Sequence, residues 1–191
     1  MKRLFISFAI CFISLSMFAQ SGHLSFKGVP IDGTLGQYTE AMKSKGFSYV
    51  GTQDGMSILM GDFAGFKGCT IGVSTLQNKD LVNTIGVIFP EKDSWTLLYG
   101  NYSTLKEMLT EKYGQPSTCV ETFETSPQPR DDNSRMYEVK FDRCKYFSVF
   151  STENGDIELS ISNSSMSCFV LLKYYDKINS DIVRAAAMED L

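Results

Sequence analysis

Histidine is almost absent: His23 is the only imidazole in 191 residues. Catalysis built on imidazole needs an activated nucleophile and an orienting acid around it, and nothing local to His23 supplies them. It reads as an exposed or edge-strand residue. Metal-ligand spacings are missing too. No C-x-x-C pair occurs, and Asp131-Asp132-Asn133 lacks the D-x-[DN]-x-[DN]-G spacing of a calcium loop, so no metal and no cofactor is expected. Phe63-Ala64-Gly65-Phe66-Lys67-Gly68 is glycine-rich, but no helix N-terminus follows to aim at a phosphate. Basic runs are lacking as well, which argues against an anionic membrane surface.

What is present begins with a targeting segment over 1–19. Lys2 and Arg3 precede an uncharged apolar run from Leu4 to Phe18, and Ala19 is small enough for cleavage before Gln20. The run is about 15 residues, short of the ~20 that a spanning helix needs. No later stretch is apolar enough to hold the chain in a membrane, so the expectation is an exported protein, periplasmic or extracellular. Of 18 basic residues, Lys2 and Arg3 lie in the leader. The 16 that remain face 22 acidic ones, a net charge of −6 that repels nucleic acid. In an oxidising compartment Cys69, Cys119, Cys144 and Cys168 suggest disulfides, with Cys119–Cys144 the first choice because both flank one predicted hairpin.

Periodicity is the most informative signal. Leu35, Tyr38 and Met42 predict a helix over Leu35–Lys45, capped by Thr34 and ended by Gly46. Tyr102, Leu105 and Leu109 repeat that spacing 67 residues on, in a helix over Ser94–Tyr113 stopped by Gly114-Gln115-Pro116. Strands follow each helix. The first set is Phe47–Thr52, Met56–Asp62, Cys69–Thr75 and Val82–Phe89. The second is Thr118–Glu124, a stretch between Tyr137 and Ser151, Ile157–Ser162 and Cys168–Tyr175. The ends of the two sets, Ile85–Lys92 and Val170–Lys177, match at an offset of 85. The 18-residue excess falls on the polar, proline-bearing segment near 125–135. The fold class expected is therefore α+β: a tandem repeat of one helix plus a four-stranded antiparallel meander, over 20–92 and 93–191. A closing helix over Asn179–Leu191 completes it, with Ile182, Val183, Ala186 and Leu191 at helical spacing. Whether eight strands make one sheet or two packed ones stays open.

Phe26-Lys27-Gly28-Val29-Pro30-Ile31-Asp32-Gly33-Thr34 resembles the opening of a set of uncharacterised exported proteins of gut Gram-negative bacteria. Tyr102-x-x-Leu105-Lys106-x-x-Leu109-x-x-Lys112-Tyr113-Gly114-x-Pro116, and Asp62-Phe63-Ala64-Gly65-Phe66 with Cys69, resemble their further signatures. The resemblance implies export and a shared fold, and no activity. At fold level the tandem is similar to the beta-lactamase inhibitor protein and, more distantly, to TATA-box-binding repeats, both binding folds.

The functional expectation is a binding or inhibitor-like module without catalytic activity, recognising an envelope or extracellular protein, peptide or glycan. Its candidate residues are Arg130, Asp131, Asp132 and Asn133 in the long insertion, with Tyr146, Tyr174 and Tyr175. Strand alternation forbids both members of Tyr146-Phe147, or of Tyr174-Tyr175, from pointing inward. The alternatives are a hydrolase working through Glu121, Asp142, Glu153, Asp156 and Glu158, and a structural envelope component held by disulfides.

Overall fold

The structure, a computed structural model, describes residues 22–76 and 79–189. The leader at 1–19, its cleavage site and Gln77-Asn78 of one expected turn lie outside the described residues. In chain order the elements are β1 (Ser25–Phe26), β2 (Val29–Pro30), α1 (Leu35–Ser44), β3 (Ser48–Gln53), β4 (Met56–Phe63), β5 (Phe66–Thr75) and β6 (Val82–Ile88). Then follow α2 (Trp95–Tyr113), β7 (Thr118–Phe123), α3 (Asp132–Lys140), β8 (Cys144–Thr152), β9 (Gly155–Ser164), β10 (Ser167–Asp176) and α4 (Lys177–Glu189). The fold is α+β, and the sheet of β3–β10 is antiparallel throughout.

Local chemistry sets the element ends. Thr34 Oγ1 accepts from the Gln37 amide while Gln37 Oε1 accepts from the Thr34 amide, a reciprocal cap at the start of α1. Asp54-Gly55, at φ 49° and 77°, makes the tight left-handed turn that joins β3 to β4 with matching twist.

The eight long strands form one sheet, in the order β3-β4-β5-β6-β10-β9-β8-β7. Two four-stranded meanders thus join through β6 and β10, with Ile88 opposite Leu171 and Ile85 opposite Tyr174. This answers what the sequence leaves open: the meanders meet edge to edge. Alternation then assigns faces. Leu59, Ile71, Val87, Leu172 and Leu159 share one register row and are fully or almost fully buried. Over that face lie Tyr38 and Met42 of α1 and Leu98, Tyr102 and Leu105 of α2, all 2% exposed or less. Each such side chain contributes roughly 1.5–3 kcal/mol by leaving water. The opening segment closes the same face, where the Phe26 ring stacks on Phe63 at 5.0 Å and meets Tyr174 edge-on at 5.3 Å.

Two expectations need correction. The insertion is not loop running into a strand from Tyr137, because residues 132–140 form α3. Asp131 caps it, accepting from the Ser134 amide at 2.9 Å, and Met136 and Val139 are its buried face. With so few apolar residues the segment reads as polar loop, and its cap is the signal that identifies it. The closing helix begins at Lys177, two residues early, because the cap is Asp176, whose Oδ1 accepts from the Asn179 amide. Asn179 is itself buried, and Ile182 is 42% exposed rather than part of a covered face.

Candidate functional site

Among the described residues no helix covers the central rows of the opposite face of the sheet. One register row crosses seven strands from Met60 through Thr70, Ile88, Leu171, Ser160 and Phe147 to Val120. The next runs through Ile58, Gly72, Gly86, Lys173, Glu158 and Val149. All of these side chains are half-buried or exposed. Among the described strand residues of this face only Phe169, near one end, is buried below a tenth. Gly72 and Gly86 lie directly opposite each other, and a Cβ on either meets no atom within 4 Å, so they floor a shallow trough beside Ile58 and Ile88. Charge is sparse on these two rows: Lys173 faces Glu158 across β10 and β9. Eight strands at ~4.8 Å spacing span about 34 Å, and at seven residues deep the face covers about 800 Å². That is the share each partner gives to a standard protein interface.

The expected binding residues divide. Tyr175 lies on the open face, opposite Asp156, and lines a polar hollow of about 390 Å³ with Ser151, Ser180 and Asp181. Tyr174 and Tyr146 point to the helix side. Tyr174 is 5% exposed, and Tyr146 packs edge-on against Trp95 at 5.0 Å. Their chain neighbours Tyr175 and Phe147 face outward, as alternation requires. Asp131 and Asp132 act as helix caps. Asp132 accepts from the Trp95 and Thr96 amides and the Thr96 hydroxyl at 2.8–2.9 Å, fastening α3 to the first turn of α2. These bonds hold both carboxyls below the usual carboxylate range: those from Ser134 act chiefly on Asp131, and those from Thr96 on Asp132. Arg130 and Asn133 flank this join, both exposed.

The hydrolase carboxylates are not gathered in one place. Glu121 lies on the helix side and Asp156 and Glu158 on the open face. Glu153 is in a turn, and Asp142 precedes β8, where Asn163 Nδ2 donates to it. His23 is neither free nor on a strand edge. Its Nδ1 lies 3.1 Å from Asp176 Oδ1 and its Nε2 3.6 Å from Asp32 Oδ2. Asp176 also accepts from the Leu24 and Asn179 amides, so the imidazole belongs to a structural clasp.

The expected Cys119–Cys144 bridge is overturned. Cys119 pairs with Ser148 and Cys144 with Phe123, four positions apart along β7–β8, or about 13 Å. A disulfide tolerates at most about 7 Å between Cα atoms. All four described cysteines are free. Cys119 stands instead in a cluster that chain order conceals. Lys106 Nζ lies 3.1 Å from its Sγ and 2.6 Å from Glu121 Oε1, and the Ser148 hydroxyl, bonded to Tyr102, donates to the sulfur at 3.6 Å. Burial alone would lower the Lys106 ammonium, but its bonds to Glu121 and Cys119 outweigh that and raise it. Held as a cation, Lys106 cannot accept the thiol proton. The thiol itself donates toward Glu121 Oε1 at 3.8 Å, so the cluster sets one cation and one carboxylate beside an exposed sulfur.

No family model, no curated protein and no solved structure matches this chain. Among the described residues no helix is long and apolar enough to cross a membrane.

Proposed function

We propose that the protein is an exported, non-catalytic binding module that recognises a protein partner through the open face of its sheet. The observation that carries this is the uncovered face itself: partly apolar, sparsely charged along its central rows, floored by glycine and as large as one half of a standard interface. The arrangement α1-β3-β4-β5-β6 followed by α2-β7-β8-β9-β10 supports its origin as two copies of one helix-plus-four-strand unit, with α3 inserted in the second. Joining such copies edge to edge doubles the width of one exposed surface while the helices shelter the other. The scattered carboxylates favour this reading over a hydrolase. With the described cysteines free, the motive for a disulfide-held structural component is gone.

The test places a photo-crosslinking residue at Phe147 or Ile88 and, as control, at the exposed helix position Leu97. The protein is then presented to envelope and secreted proteins of its host. The expected result is one partner crosslinked from both open-face positions and not from Leu97, and lost when Gly86→Arg fills the trough. Equal crosslinking from Leu97, or a partner retained by Gly86→Arg, refutes the reading.

A further inference from the structure

The helix side carries a second concavity, independent of the open face. A groove of about 290 Å³ opens between the β1–β2 hairpin, the β4–β5 turn, the last turns of α2 and β10. Its walls are apolar: Phe63, Leu105, Leu109 and Leu172 line it, and Met108 stands at the rim, 46% exposed. The phenol rings of Tyr113 and Tyr174 complete the lining. Among the described residues no carboxylate lines it, although acidic residues outnumber basic ones in this chain by 22 to 18.

Among the described residues the only charged groups of the groove are the ammonium groups of Lys27 and Lys112. Among the described residues neither pairs with a carboxylate, whereas Lys43, Lys106 and Lys145 each do. Lys112 Nζ instead sits 4.8 Å from the centre of the Tyr113 ring, held at the groove by attraction to the ring face. Lys27 is placed by the hairpin turn, where it adopts φ 53°. Two cations from distant parts of the chain thus flank one apolar trough. At about 30 Å³ per heavy group, the share of a water in its liquid, the trough takes about ten groups, a ten-carbon chain whose head group stands outside it at the mouth. An apolar floor with convergent cations is the lining that a small amphipathic anion selects.

We propose that this groove binds a medium-chain aliphatic carboxylate, its chain along Leu105, Leu109 and Leu172 and its head between Lys27 and Lys112. The α2 C-terminus lies at the same end and its carbonyls disfavour an anion. The lysines must therefore supply the discrimination, and removing them must abolish it.

The experiment is calorimetric titration of the purified protein with decanoate, kept below its micellar range, and with decan-1-ol, which has the same chain and no charge. Decanoate should bind at least tenfold tighter than decanol, with affinity falling as salt screens the pair. In Lys27→Gln/Lys112→Gln that preference should vanish while the thermal midpoint holds, since both lysines sit at the groove mouth. Leu109→Phe, which narrows the floor, should weaken both ligands alike. Absence of decanoate binding, equal affinity for acid and alcohol, or an unchanged preference in the double variant would overturn the proposal. Each of these outcomes leaves the open-face reading untouched.

Discussion

Individual polar residues in this protein act mainly as fasteners. Asn179 is 1% exposed, and its amide nitrogen donates to the carbonyls of Ile31 and Val82 and reaches Asp32 Oδ1. It therefore ties α4 to the opening segment and to the first residue of β6. Asn179→Ala strands two buried carbonyls, and chemical denaturation should show a loss of about 1–3 kcal/mol. Asp132 holds α3 to α2 on the same principle at the surface. Its carboxyl is lowered in the fold, so its contribution is complete above the ordinary carboxylate range and is lost as pH falls through its folded value. Asp132→Ala should lower the thermal midpoint at neutral pH and lose less on acidification than the parent does. Thiols sort by burial. Burial pushes the Cys144 thiol up to about 12 and raises Cys69 and Cys168, while Cys119 is exposed. Site-resolved alkylation at pH 8 should modify Cys119 at least tenfold faster than the other three. Comparable rates for Cys119 and Cys144 would contradict the register of β7 on β8.

Among the elements, the turns show where local rules are kept and where they are broken. The β9–β10 turn is Ser165-Met166, one residue later than the Asn163-Ser164-Ser165 turn signal indicates. Both residues take positive φ, 50° and 71°, without a glycine. An L-residue costs roughly 1–2 kcal/mol in that region, and Met166 is 55% exposed, so its burial offsets little of that. Met166→Gly should raise stability by about 1 kcal/mol, measured as a higher denaturant midpoint at unchanged slope. α3 shows the opposite relation. Its composition is that of a loop, but a cap at Asp131, two buried apolar residues and the bridge from Asp132 to α2 stabilise nine residues as helix. Sequence periodicity weighs apolar spacing. It is insensitive to a helix whose stabilisation comes from its ends.

For the molecule as a whole, the sheet's two faces have separate tasks, and substitutions should separate them. Gly86→Arg adds a side chain where a Cβ meets nothing within 4 Å, so the thermal midpoint should hold or rise while partner capture is lost. A fall in both would mean that the trough is structural. Much of this architecture was legible beforehand. The helices at Leu35 and Ser94 and seven of the eight strands of the large sheet in near-final position follow from 3.6- and 2-residue periods and from turn residues, which are properties of neighbouring side chains. Alternation alone required one of Tyr146 and Phe147 to face outward. Which of them did so was decided by the helices: α2 brought Trp95 onto the Tyr146 side of β8, and Phe147 was left on the open face. The cluster of Lys106 with Cys119, the clasp of His23 with Asp176 and the groove between Lys27 and Lys112 likewise join residues 13 to 153 positions apart. No local period encodes such distances. The clasp and the groove exist because β6 and β10 pair as strands, which brings both halves of the chain to one helix-covered face, and Lys106 meets Cys119 because α2 lies over the sheet of its own half.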